Sequence, residues 1–486
     1  MTHPIDLRIR ESHWTELQRH LYPGDKDEHG AVLLCGEVRT PRSHRLLVRE
    51  VIPAVDGIDY VAGTRGFRHL SGEFVTHQIR RAKDLELVYL AVHNHGGRGN
   101  VRFSPTDLSS HERGYPTLLN ICGRPVGALV TAEDAVAGDI WLSDGSRTDL
   151  RTMAVIGDAL TLITDGRSNP IVTDGTESAD QSHVRQSLVF GDTGQRTLGS
   201  LRVGIIGAGG VGMLLVQALS RLGVGNLIVL DPDTVSVSNL SRLPEATLRD
   251  AGVPTTTLQR LLQKVGRFEP IHKVDLASRT AKAANPRIHI EALAQDVADD
   301  SCARRLRDCD FILLAADTML ARDVVNQLAY QYLIPCLQVG SKVVLRPETA
   351  EVLDVFGVVR SLGTTQGCMR CNGLIDQAKL SEEALSDPVQ RQNQRYVDDP
   401  AIEAPSVITV NAMSAGWAAN DFMQYATALG RPSSGFRVLR TQPVGSPGQH
   451  VTVQTPAVDA NCHVCGLESY SAMSRGDGID LPTRVA

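Results

Sequence analysis

In LVYLAVHNHGGRGNVRFSPTD (residues 87–107) an apolar run ends by delivering two histidines one residue apart, with a serine and an aspartate close behind. Side chains on an extended segment alternate with period two, so His93 and His95 point to one side and can share an ion. Imidazole and carboxylate are common zinc ligands, and a catalytic zinc keeps one position open for water. Asp107, on the following loop or helix start, can complete a His/His/Asp set. Such a site needs a base for the water's proton and a donor for the oxyanion of an attacked carbonyl. Glu28, in DEHGAVLLCG, is the candidate base and Ser104 the candidate donor. The chemistry would be metal-assisted hydrolysis.

A second group of residues suits phosphate. GAGGVG (207–212) follows an apolar strand and opens a helix, where backbone N–H groups and the helix dipole can cradle phosphate oxygens. Gly207, Gly209, Gly210 and Gly212 therefore read as cofactor-binding positions. Asp231 ends the next strand, where a carboxylate can bind ribose hydroxyls. A dinucleotide-dependent oxidoreductase would carry the same features. A third group is the two Cys-x-x-Cys pairs, Cys368/Cys371 and Cys462/Cys465. Four thiolates in two knuckles make a closed tetrahedral zinc site, structural because no position remains for water; a redox dithiol is the rival.

The elements that must position these groups fall into two halves. GAVLLCGEV (30–38) and HRLLVREVIPA (44–54) predict strands, SGEFVTHQIRRAKDLE (71–86) a helix, and LVYLAVHNH a further strand, giving an α/β domain over residues 1–164. Residues 165–182, rich in Gly, Asp, Ser and Thr without a sustained period, read as a linker. The second domain, 183–486, opens on a strand–glycine turn–helix–strand unit. RIHIEAL (287–293) and DFILLAAD (310–317) add strands between helical stretches, so a mostly parallel sheet with helices on both faces is expected.

The chain has 486 residues, 42% of them hydrophobic and 21% charged, enough for two or three globular cores. No apolar run approaches the roughly 18 residues that span a bilayer. MTHPIDLRIRESHW lacks a basic-then-apolar signal, so a cytoplasmic setting is expected, and with it thiols rather than disulfides among the nine cysteines. A net charge of −6 offers no general attraction to nucleic acid. Neither nucleic acid nor membrane is an expected partner.

The histidine motif, with Ser-x-x-Asp behind it and Glu28 upstream, resembles the JAB/MPN (JAMM) metalloprotease family, whose fold is cytidine-deaminase-like and which cleaves isopeptide and peptide bonds after ubiquitin-like proteins. The resemblance covers roughly residues 10–150. It implies ligand roles for His93, His95 and Asp107, the general-base role for Glu28 with Glu37 as the alternative, and the oxyanion role for Ser104. VLDPDTVSVSNLSRL (229–243) resembles the ThiF/MoeB and ubiquitin-activating enzyme signature, and DFILLAADTMLARDVVNQ (310–327) the same family's Asp-rich strand. That resemblance covers roughly 183–435 and implies a Rossmann-like adenylyltransferase. It assigns Asp231 to the ribose of ATP, Asn239, Arg242 and Lys273 to its phosphates, and Asp317 to a magnesium ion. Arg185, in VRQSLVFG, resembles an arginine lent across a homodimer interface.

Together the resemblances imply one chain that adenylates the C-terminal carboxylate of a ubiquitin-like protein and also processes or deconjugates that protein. The setting would be a bacterial conjugation system linked to phage defence, with an E2-like conjugating protein as a further partner. The alternatives are activation of a sulfur carrier in cofactor biosynthesis, and a nucleotide-gated binding scaffold with an inactive protease domain. Relatives that form a thioester place a cysteine after the first knuckle, whereas residues 372–461 contain none. The reaction is therefore expected to stop at the acyl-adenylate. Ser406 offers an oxyester as the alternative, or serves as a helix N-cap.

Overall fold

The computed structural model describes residues 5–61, 66–167, 181–346, 349, 351–363, 366–383, 405–430, 435–440 and 450–484. Of the expected linker, residues 168–180 lie outside that set. The chain divides into two compact units: residues 1–175 with 330–333 and 460–480, and residues 176–329 with 334–459 and 481–486. Among the described residues no helix is long and apolar enough to cross a membrane.

The first unit runs β1 (Ile5–Arg10), α1 (Glu11–Leu21), β2 (Gly30–Arg39), β3 (His44–Pro53), α2 (Gly72–Asp84), β4 (Val88–Asn94), α3 (Pro105–Cys122), β5 (Val126–Thr131), β6 (Val136–Trp141), β7 (Arg147–Ile156) and β8 (Leu160–Ile163). Its sheet has the order β1-β3-β2-β4-β5-β6-β7-β8, and β1 also pairs with β7. That pairing joins the two sides of the sheet and covers the free edge of β1, leaving β8, which pairs only with β7, at an edge. The apolar runs read from the sequence are buried on both faces. Leu33, Leu90 and Val92 enter the cluster that includes β1 and α1, whereas Val32, Leu34 and Tyr89 pack with Phe74 and Ile79 of α2 and Tyr115 of α3. Two-sided burial explains why GAVLLCGEV shows no polar alternation.

Arg49 of β3 ties residues 460–480 into this unit. Its guanidinium, 6% exposed as a residue, donates to the carbonyls of Glu468 (2.6 Å), Ser469 (3.3 Å) and Ser471 (3.2 Å) and to that of Met473. Arg8 of β1 does the same for Tyr332 and Leu333, at 3.3 and 3.2 Å. Truncation at Arg49 would take this donor from the carbonyls of buried Ser471 and Met473. Arg49→Ala is therefore expected to destabilise the unit by roughly 3 kcal/mol and to speed amide exchange across residues 460–480. Unchanged exchange there would show that these bonds do not hold the segment.

The second unit contains α4 (Val184–Ser200), β9 (Arg202–Ile206), α5 (Gly210–Leu222), β10 (Asn226–Leu230), α6 (Thr257–Lys264), α7 (Lys273–Ala284), β11 (His289–Leu293), α8 (Asp300–Arg305), β12 (Phe311–Leu314), α9 (Met319–Gln331), β13 (Cys336–Leu345), β14 (Val352–Leu362), α10 (Gln377–Glu383), α11 (Ile408–Thr427), β15 (Phe436–Arg440) and β16 (His450–Gln454). Strands β11-β10-β9-β12-β13 are parallel, and β14, β15 and β16 extend the sheet antiparallel. The expected mostly parallel sheet is thus a mixed one. Its parallel part follows doubly wound order, with the reversal between β9 and β12, where such sheets open a ligand crevice at the strands' carboxyl ends.

Candidate functional site

Three elements build the first site. The odd residues of β4, Tyr89 and Ala91, pack toward α2 and α3. His93 continues that face and so meets the start of α3. Ser104 caps α3, accepting from Asp107 N (3.2 Å), while Asp107 Oδ2 accepts from Ser104 N (2.8 Å), and Pro105 fills the first helical position. This capping box places Asp107 against the histidines. His93 Nε2 and His95 Nε2 are 3.2 Å apart, and they lie 3.7 and 3.5 Å from Asp107 Oδ2. The three side chains form a set that could hold a metal ion.

Burial pushes the Asp107 carboxyl up, but His93, His95 and the Ser104 hydroxyl outweigh it and hold the group well below the usual carboxylate range. The same carboxylate, helped by Glu28, raises His95. Glu28 Oε1 lies 4.0 Å from His95 Nε2. Glu28, Phe67, His95, Gly96, Ser104 and Thr106 line one pocket.

The two alternatives for the base part company. Gly30 of β2 lies opposite His93 of β4, so Glu28 sits just beyond the histidine end of the strand. Glu37 is seven residues beyond Gly30, about 23 Å along an extended strand. It also accepts from His44 Nε2 (2.7 Å) and Arg39 Nε (2.8 Å). Glu37 is therefore excluded from the site. The Ser104 hydroxyl donates to Asp107 Oδ2 at 2.7 Å, so in this geometry it holds the Asp107 carboxylate. Sequence reasoning missed Asn94. Buried between the two histidines, it accepts from His29 N at 2.5 Å and donates its own N–H to His29 O at 3.2 Å, fixing the segment that carries Glu28. A polar residue at a strand position whose neighbours face the core was its signal.

The second site lies at the reversal between β9 and β12. Gly207 has φ +92, and an added Cβ would meet Ala316 N at 2.8 Å; a Cβ on Gly212 would meet Gly207 O at 1.8 Å. Gly209 has open space where its Cβ would be. Tight backbone approach beneath and room above suit a phosphate-binding turn. Asp231 is buried just after β10, Oδ2 accepting from Ala208 N (2.7 Å) and Oδ1 from Asp233 N (2.9 Å). Burial raises its pKa and Lys273 opposes the shift. Lys273 Nζ lies 3.7 Å from Asp231 Oδ1 and 2.6 Å from Asp233 Oδ2. Asn239 is buried, with Oδ1 accepting from Ser236 N at 3.2 Å, and Arg242 Nη1 donates to Ser238 O at 2.9 Å. Asp317 is exposed on the segment joining β12 to α9. Arg185 is exposed on α4.

Asn411 of α11 joins this site unforeseen. It is 2% exposed, it accepts from Ser341 Oγ at 2.5 Å, and its Nδ2 stands 2.3 Å from where a Cβ on Gly210 would be. Nδ2 also donates to Ser406 Oγ at 3.2 Å. The N-cap of α11 is Val407, with extended backbone and no side-chain cap, so Ser406 does not take the expected capping role.

Among the cysteines, Cys368 and Cys371 belong to the second unit and Cys462 and Cys465 to the first. Zn–S bonds of about 2.3 Å put tetrahedral sulfurs about 3.8 Å apart; Cys368 and Cys371 are separated by 3.6 Å. The spacing of that pair suits two thiolates on one zinc ion. Cys368→Ser is expected to remove one equivalent of zinc and lower the melting temperature by more than about 5 °C. An unchanged melt would argue for an incidental or redox pair.

No curated protein matches the chain. Among solved structures, E. coli MccB with succinimide is 18% identical, covering 59% of this chain and 75% of its own at a TM-score of 0.43. E. coli MccB with ATP is 19% identical, with coverages of 60% and 76% and a TM-score of 0.41. PaaA is 18% identical, with coverages of 59% and 79% and a TM-score of 0.40. The ThiF family model matches residues 183–464, more than half of the sequence, and the chain therefore belongs to the ThiF family.

Proposed function

We propose that the second unit activates the C-terminal carboxylate of a ubiquitin-like protein as an acyl-adenylate, and that the first unit is a JAB/MPN-type zinc peptidase acting on the same protein. Family membership supports the first activity, and the observation that carries it is the gathering of the glycine turn, Asp231 and Asp317 around the β9/β12 reversal. A carboxylate oxygen bonds to the α-phosphorus of ATP while the bond to pyrophosphate breaks. The glycine-turn N–H groups hold phosphate oxygens, and Arg242 and Lys273 stabilise the charge that develops. Asp231 keeps lone pairs for the ribose hydroxyls beyond its two backbone bonds. Asp317 and Asn239 are the residues that would hold magnesium and phosphate, magnesium supplying further charge neutralisation. A second copy of the chain would lend Arg185. Leu188 beside it, 84% exposed, gives α4 an apolar surface suited to such an interface.

The peptidase reading rests on distances. Three ligand atoms around a tetrahedral zinc at about 2.05 Å lie about 3.3 Å apart, and the separations here are 3.2, 3.5 and 3.7 Å. Zinc at these residues would supply Lewis acidity and an acidified water. Glu28 takes the proton; Ser104 lines the same pocket, and its hydroxyl, which donates to Asp107 Oδ2 in this geometry, would serve the oxyanion by turning its one proton from Asp107 to the pocket. The test is to incubate the protein with ATP, Mg2+ and candidate ubiquitin-like proteins, with and without C-terminal extensions, and weigh the products. Adenylated or trimmed protein is expected; neither product from any candidate would overturn the reading.

A further inference from the structure

Helix α9 begins two residues after Asp317, and one stretch of chain grips it along its length. Arg370, inside the Cys368–Cys371 knuckle, donates from Nε to Asp323 Oδ1 at 2.7 Å and from Nη2 to Asp323 Oδ2 at 2.5 Å. Met369 N, from the same knuckle, donates to Asn326 Oδ1 at 2.8 Å. Arg322 Nη1 donates to Leu374 O at 3.3 Å, and Glu383 Oε2, at the end of α10, accepts from Leu320 N at 2.8 Å. Asp323 is 2% exposed and Asn326 0% exposed. A buried carboxylate held bidentately by a guanidinium is costly to break, because either partner alone is left charged and poorly solvated. Asp323 and Asn326, three apart, share one face of α9. The knuckle thus sets where α9 lies.

The segment between β12 and α9 is short, and Thr318 Oγ1 accepts from Ala321 N at 3.3 Å, joining that segment to the helix start. A shift of α9 is therefore passed to Asp317. We propose that the Cys368–Cys371 knuckle positions the nucleotide site, with Asp323 and Asn326 as positioning residues acting through α9 on Asp317. The inference rests on the reading that Asp317 serves the magnesium ion of bound ATP. It gives the knuckle a role beyond stability, since its geometry enters nucleotide affinity through Asp317 alone.

The test is titration of the full chain with ATP, with and without Mg2+, alongside zinc content and a thermal melt. Asp323→Asn leaves the four cysteines untouched and is expected to keep its zinc. Its affinity for ATP with Mg2+ should fall about tenfold and its affinity for ATP without Mg2+ less than twofold. Arg370→Lys keeps the charge but one fewer bond, and an intermediate loss of about threefold is expected, which guards against misfolding of the first variant. Folded variants with wild-type affinity for ATP and Mg2+ would overturn the inference, as would equal losses with and without Mg2+. If the wild-type chain itself binds no ATP, the adenylation reading fails first and this inference with it.

Discussion

Glu28→Gln is expected to slow cleavage after a ubiquitin-like protein by about a thousandfold, the scale of a lost general base, while leaving zinc content at the wild-type level. Glu28 lies 4.0 Å from His95 Nε2, whereas the set that could hold a metal ion consists of His93, His95 and Asp107. Its loss therefore removes a proton acceptor and no ligand. His93→Ala should lose cleavage and one equivalent of metal together. Glu37 cannot stand in, because His44 and Arg39 engage its carboxylate. The measurement is the rate of release from a fusion protein, beside metal analysis of each variant. Full activity in Glu28→Gln would show that the base lies elsewhere.

An effect as large is expected in the second unit from two unrelated changes. Asp317→Ala removes the proposed magnesium ligand and should abolish ATP–pyrophosphate exchange in a folded protein. Gly212→Val reaches the same end through the backbone. Its Cβ would stand 1.8 Å from Gly207 O, so the glycine turn must open and its N–H groups no longer converge. For that variant ATP binding itself should become undetectable, whereas Asp317→Ala retains binding without Mg2+. Neither change should alter cleavage by the first unit, whose ligand set and base lie on β4, α3 and the segment before β2. Exchange that survives both substitutions would exclude this crevice as the adenylation site.

How much of this was legible beforehand depends on the range of the interaction involved. The sequence alone determined features that arise within about one element. Period two put His93 and His95 on one side, and the strand–glycine–helix order placed residues 207–212 at the turn between β9 and α5. Local sterics and local hydrogen bonds govern these features, so spacing suffices to see them. Tertiary structure decided what depends on partners distant in sequence. The register of β2 against β4 brought Glu28 to the histidines and carried Glu37 away. Arg49 drew residues 460–480 into the first unit, and Asp323 locked α9 to a knuckle forty-odd residues later. Asn94 and Asn411 were invisible for the same reason. A buried amide is placed by the groups that satisfy it, and those groups are assembled only when strands pair and helices pack.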